Sequence, residues 1–209
     1  NKKPIIFSIK KLFDRKKSSK YLFIHIPKTG GTSFKFNVIY NPRLKKEIEI
    51  YHNITYPPRE LRLLNIFKEK RKMFTLLRDP TDTIISAYYH FKHLVKIKNF
   101  VFFDQVSNMQ TKFLLGYDIF SDYKIKTNEF DDLIKLIDDK KLIVGIQKRK
   151  SMIKIYNLLE LRFDEVDNYI LNKKVGISYK KKDVSDNLRE YIKKNNNFDY
   201  KLFDYVMKS

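Results

Sequence analysis

Tyr21-Leu22-Phe23-Ile24-His25-Ile26-Pro27-Lys28-Thr29-Gly30-Gly31-Thr32-Ser33-Phe34 is the stretch on which the reading of the fold turns. An apolar run of strand length stops at Pro27 and an amphipathic run follows from Phe34, which predicts a strand, an anion-binding loop and a helix in that order. Two adjacent glycines turn the backbone without a Cβ penalty and let a ligand approach the peptide N–H groups at a helix start. Thr29, Thr32 and Ser33 add hydroxyl donors, and Lys28 adds a mobile positive charge beside the same anion. The phosphate loop G-x-x-x-x-G-K-[ST] places its lysine after the last glycine, whereas Lys28 precedes both glycines, so this is not a Walker A sequence. Taken alone, the same residues would also serve as a plain strand-to-helix turn with a polar cap.

The 209 residues suffice for one domain with a sizeable core, and no Pro/Gly/Ser-rich linker divides them. The expected organisation is a basic amphipathic arm over 1–20 and a single α/β domain over 21–209. Lys and Arg number 44 against 24 Asp and Glu, a formal charge of +20, which predicts anionic partners without choosing among nucleotides, acidic glycans, acidic lipids and nucleic acid. No cysteine is present, which excludes disulfides, thiolate metal sites and cysteine nucleophiles and fits a reducing cytoplasm. No apolar run approaches the roughly 18 residues of a membrane span, and no signal peptide with a small-residue cleavage site is visible. The sequence opens on Asn1 without Met, which leaves room for an upstream segment.

Ile5, Ile6, Phe7, Ile9, Leu12 and Phe13, set among eight Lys and Arg residues over 1–20, predict a peripheral contact with an anionic membrane surface, a frayed arm or a first helix packed on the domain. Beyond the opening unit, the helix from Phe34 should end at Asn41-Pro42. Glu47 to Thr55 alternates weakly, and Pro58 to Lys72 has helical spacing. Met73–Leu77 is a buried-strand candidate. Asp79-Pro80 followed by Asp82 signals a helix start with Asp79 as N-cap, and that helix should run to Phe91 or beyond. Further helices are expected over 99–115, ending at Gly116, over 130–139 and over 151–161, with a strand at Leu142–Ile146 and two helices over 183–208. Strands separated by helices predict an α/β layered domain around a mainly parallel sheet.

Arg78 falls at the expected carboxyl end of the Met73–Leu77 strand, and Ser86 lies eight residues on. Ligands of open parallel sheets bind beyond the carboxyl ends of the strands, where the Lys28 loop should also lie. Arg78 and Ser86 are a suitable pair for a second phosphate, although a local ion pair and a helix-surface serine would also account for them.

Pro27-Lys28-Thr29-Gly30-Gly31-Thr32-Ser33-Phe34 and Leu77-Arg78-Asp79-Pro80 through Ser86-x-Tyr88-Tyr89 together resemble the paired signatures of carbohydrate sulfotransferases that use 3′-phosphoadenosine 5′-phosphosulfate (PAPS). The likeness is to the membrane-associated and bacterial branch that includes the heparan sulfate uronosyl sulfotransferases. Asn108-x-Gln110-Thr111-Lys112 resembles that branch's N-x-Q-T-R segment, Val144-Gly145-Ile146 precedes a long helix, and Asn197-Phe198-Asp199-Tyr200-Lys201-Leu202-Phe203 resembles its closing N-x-x-D-x-x-L-Y. The resemblance implies a three-layer, P-loop-like fold. It further implies that Lys28, Thr29, Gly30, Gly31, Thr32 and Ser33 cradle the 5′-phosphosulfate and that Arg78 and Ser86 hold the 3′-phosphate. Thr83 stands where the family often has arginine, so any cationic contact from that position is lost. Lys180-Lys181-Lys182 is a candidate late basic loop over the nucleotide.

The activity implied is in-line transfer of a sulfuryl group from PAPS to a carbohydrate hydroxyl on a glycan or glycolipid, with Lys28 as a catalytic cation, no required metal and no nucleic-acid partner. A general base is needed, and histidine is the usual choice near neutral pH. His25 sits within the apolar strand and is read as a packing residue; His90 and His93, at i and i+3, lack a third metal ligand. His52 lies between the loop helix and the Arg78 strand, where the family carries its catalytic histidine, and is the preferred base. A nucleotide-dependent kinase and a non-catalytic polyanion-binding module remain as alternatives.

Overall fold

Tyr21–Ile24 forms β1, and all four side chains are buried because helices cover both faces of its sheet. The computed structural model describes residues 19–51, 70–91, 99–147, 149–158 and 184–208. Within these, β1 is followed by α1 (Gly31–Tyr40), α2 (Pro42–Glu47), β2 (Ile48–Tyr51), β3 (Lys72–Leu77), α3 (Pro80–Phe91), α4 (Asn99–Gln105) and α5 (Met109–Leu114). The chain continues through α6 (Thr127–Asp138), β4 (Leu142–Ile146), α7 (Arg149–Leu158), α8 (Asp186–Asn195) and α9 (Asn197–Lys208). The sheet order is β2-β1-β3-β4, with β1 parallel to both β2 and β3 and β3 parallel to β4. The expected α/β architecture with a central parallel sheet is therefore present.

Alternation along the strands sorts the core into two layers. Leu22 and Ile24 of β1, Met73 and Leu77 of β3 and Leu142 of β4 face α3 to α6, α8 and α9, where Ile84, Ile85, Phe91, Phe113, Leu133, Ile192 and Leu202 complete the larger core. Tyr21 and Phe23 of β1, with Phe74 and Leu76 of β3, face the other way and pack with Phe34 and Val38 of α1, Leu44 of α2, and Ile155 and Tyr156 of α7. The Phe23, Phe34 and Phe74 rings lie 4.4 to 5.4 Å apart, centroid to centroid. Such pairs contribute roughly 0.5–1.5 kcal/mol each beyond the area they bury. This triad fixes the loop helix α1 onto β1 and β3 together.

Asn41-Pro42 ends α1 as expected, and it also starts a second helix: the Asn41 carboxamide accepts from the N–H groups of Arg43 (3.0 Å) and Leu44 (3.2 Å), with Pro42 at the first helical position. The weakly alternating segment contributes the four-residue strand β2. Most of the helix expected over 58–72 lies outside the described residues, and its last residue, Lys72, opens β3 instead. The single helix expected over 99–115 is two helices, because Asn108 adopts φ 53 in the left-handed region and interrupts the run. Its side chain accepts from the N–H groups of Phe198 (2.9 Å) and Asp199 (3.2 Å), a demand from α9 that helical spacing cannot reveal. Residues 1–18 and Lys180-Lys181-Lys182 lie outside the described residues. Among the described residues no helix is long and apolar enough to cross a membrane.

Candidate anion-binding site

The connection leaving β1 runs through α1 and α2 on one face of the sheet, and the connection leaving β3 runs through α3 to α6 on the other. The crevice between the carboxyl ends of β1 and β3 is therefore a topological switch point, the usual ligand position in open α/β sheets. Two segments enter it, the turn Pro27–Gly30 after β1 and Arg78-Asp79 after β3.

Lys28 has φ 66 and Gly30 φ 87, so the turn passes twice through the left-handed region. That conformation is cheap for glycine and costs a lysine roughly 1–2 kcal/mol. Two contacts hold it: the buried Thr29 hydroxyl donates to the Ile26 carbonyl (2.9 Å), and Arg78 Nη1 donates to the Lys28 carbonyl (3.4 Å). Gly31, the first residue of α1, lies against the ring of His25, and a Cβ there would sit 2.0 Å from His25 Cδ2. His25 is itself buried, with its ring stacked parallel to Phe23 at 5.9 Å, which makes it the seat of the helix start, as its apolar setting implied. Gly31→Ala should accordingly destabilise the protein by about 1–3 kcal/mol through overpacking. In urea unfolding, that loss should shrink in a His25→Ala background, where the obstructing ring is gone; equal losses in both backgrounds would contradict the contact.

Arg78 is fixed at its backbone as well as at its side chain. Its N–H donates to Gln110 Oε1 (3.1 Å) and its carbonyl accepts from Gln110 Nε2 (3.0 Å), so one side-chain amide mimics a neighbouring strand where the ladder has ended. Asp79 caps α3, accepting from the Asp82 N–H (2.9 Å), as the Asp-Pro signal predicted. The Asp82 carboxylate lies 3.9 Å from Arg78 Nη2. Asp82, Ser86 and His90 follow one another at four-residue intervals, hence along one side of α3, and the Arg78 contact marks that side as the one bordering the crevice.

Burial, and then the Arg78 guanidinium, hold the Lys28 amine below the ordinary lysine value. Partial desolvation, and then the positive charge of Lys28, hold His90 below the ordinary histidine value. Among the described residues no carboxylate pairs with Lys28. Two cationic side chains brought together at a helix start, with Asp82 only at the edge of ion-pair distance from one of them, form a donor set suited to an anion.

Lys28, Gly30, Gly31 and Arg78 thus lie together at the switch point, and Ser86 lies on the α3 side that borders it, whereas the buried Thr29 hydroxyl, expected as an anion donor, is spent on the Ile26 carbonyl. The backbones of Thr32 and Ser33 form the first turn of α1, while their side chains lie outside the described residues, as does the whole of His52. Gln110, Gln147 and His90 were not anticipated as neighbours of the site. Gln147 follows β4, donates its N–H to the Leu77 carbonyl (2.8 Å) and places its side chain against Gly30. His90 could have been found from its four-residue spacing from Ser86, and Gln110 only from the tertiary structure. Among the described residues no group of three or more His, Asp or Glu side chains is arranged to hold a metal ion.

No family model matches the chain, and no curated protein matches it. Among solved structures, the chain is similar to mouse sulfotransferase SULT7A1 complexed with PAP, at 13% sequence identity and a TM-score of 0.49 over 79% of this chain and 70% of that one.

Proposed function

We propose that this protein is a sulfotransferase that moves a sulfuryl group from PAPS to a hydroxyl of a carbohydrate acceptor, a glycan or a glycolipid. The observation that carries the reading is the junction of Lys28 and Arg78: cations from the ends of two adjacent parallel strands, joined through the Lys28 carbonyl at the switch point. The paired sequence signatures around these two residues support the same reading. A donor set of two separate cations, one on a glycine turn and one a planar fork, fits a ligand with two phosphate-type groups.

PAPS supplies an activated sulfuryl group on its 5′-phosphate. In the proposed arrangement Lys28, the backbone of Thr29, Gly30 and Gly31, and the hydroxyls of Thr32 and Ser33 hold that end, while Arg78 and Ser86 hold the 3′-phosphate. His52 takes the acceptor proton as the new oxygen–sulfur bond forms. Lys28 stabilises the negative charge left on the bridging oxygen as the sulfur–oxygen bond to the 5′-phosphate breaks. The +20 charge favours an acidic acceptor, and the basic arm over 1–20 favours a place at the inner face of a membrane.

The test pairs binding with transfer. Calorimetry should show adenosine 3′,5′-bisphosphate binding more tightly than adenosine 5′-monophosphate, and labelled PAPS should sulfate a member of a glycan and glycolipid panel. Absence of bisphosphate binding at millimolar ligand would remove the proposal, and Mg²⁺-dependent ATP hydrolysis in its place would make the chain a kinase. Salt-sensitive heparin binding indifferent to Lys28→Ala and Arg78→Ala, with no nucleotide bound, would make it a polyanion-binding module.

A further inference from the structure

The backbone of Arg78 is held from the far end of the chain. Asp199, in the first turn of α9, is fully buried, and its two carboxylate oxygens accept the N–H groups of Gln110 (3.1 Å) and Thr111 (2.7 Å) at the start of α5. Gln110, buried in turn, spends both ends of its side-chain amide on Arg78. The arrangement is reciprocal. Asn108, just before α5, accepts from the first N–H groups of α9, and the Asn108 N–H donates to Asn196 Oδ1 (2.6 Å). Asn196, rather than Asn197, is therefore the asparagine that works with Asp199. A further bond ties α9 to the first turn of α3, between the hydroxyls of Tyr200 and Thr81 (2.6 Å).

The register of β3 with β4 ends at Leu77 opposite Ile146, and the Leu77 carbonyl is taken by the Gln147 N–H. Arg78 is thus the first residue beyond the ladder, and the Gln110 amide is what gives it strand-like definition. A side chain pointed from such a residue inherits the precision of its backbone. Small displacements of an anion-binding fork cost affinity steeply, because paired donor geometry is lost together.

We propose that Gln110 and Asp199 are positioning residues for Arg78, so that the start of the C-terminal helix α9 sets the discrimination between a 3′-phosphorylated nucleotide and one without that group. This rests on the assignment of Arg78 to the 3′-phosphate. A purely structural role for the amide would weaken all nucleotides together or only lower the melting temperature. A positioning role acts on the ratio of the two affinities.

The experiment measures Kd for adenosine 3′,5′-bisphosphate and adenosine 5′-monophosphate by calorimetry on the wild type, Gln110→Met and Asp199→Asn, each checked by circular dichroism. Gln110→Met keeps the side-chain length and removes both bonds to Arg78. It should weaken the bisphosphate about tenfold and the monophosphate less than twofold, collapsing the ratio, and Asp199→Asn should act in the same direction more weakly. An unchanged ratio in folded Gln110→Met overturns the proposal. Should that variant fail to fold, Gln110→Glu decides: it keeps an acceptor for the Arg78 N–H, loses the donor to the Arg78 carbonyl and should give an intermediate ratio, whereas a wild-type ratio overturns the proposal. A wild type that binds both nucleotides equally removes the underlying assignment of Arg78 instead, and is recognised before any variant is made.

Discussion

Lys28→Ala should lower single-turnover transfer from PAPS by two to three orders of magnitude, about the loss seen when one preorganised donor is removed from a developing anion. The expectation follows from how the residue is held. A lysine kept in the left-handed region, half-buried and beside an arginine, carries costs of conformation, desolvation and like-charge repulsion that no carboxylate among the described residues offsets. An anion bound between Lys28 and Arg78 relieves two of these three. Because the free protein holds the Lys28 amine below the ordinary value of 10.5, and a bound anion raises it again, bisphosphate affinity should fall as pH rises through that lowered value. Lys28→Arg should move the fall to higher pH. A Lys28→Ala variant within threefold of wild type, or affinity flat to pH 10.5, would contradict the role given to this side chain.

The parts of the fold that could be read from the sequence are those whose causes are local. Tyr21–Ile24 is apolar on both faces and ends in a proline and two glycines, so strand and turn are specified within fourteen residues. Asp79-Pro80 carries its own cap, and Gly116, at φ 82, its own stop. The break at Asn108 was hidden because its reason, the start of α9, lies some ninety residues away, where spacing cannot point. The strand β2 was hidden because four residues at a sheet edge, only one of them fully buried, leave little alternation to read. The site divides the same way. Lys28 and Arg78 stand next to their strand ends in sequence, whereas Gln110 becomes part of the site only when α5 is laid against β3. The asparagine was placed one residue late against the pattern's own spacing: N-x-x-D ending at Asp199 begins at Asn196, the residue that receives the Asn108 N–H.

His52→Ala should lower transfer by about two to four orders of magnitude, the usual contribution of a general base, while leaving bisphosphate affinity within twofold. His52 is the residue after Tyr51 in sequence, and the Tyr51 carbonyl accepts the His25 N–H (3.0 Å) at the same carboxyl end of the parallel strands as the Lys28 turn. The described residues also offer a competitor. His90 shares a side of α3 with Ser86 and experiences the charge of Lys28, and its depressed pKa keeps it neutral and proton-accepting at physiological pH. The pH profile separates the two. A base must be unprotonated to act, so the rate rises with pH through the pKa of the histidine that serves. With His52 as base that rise should vanish in His52→Ala and persist in His90→Ala, which should stay within about fivefold of wild type, below the contribution expected of a base. A rise centred below about 6.5, the ordinary histidine value, that disappears in His90→Ala would transfer the role to α3 and leave His52 without one.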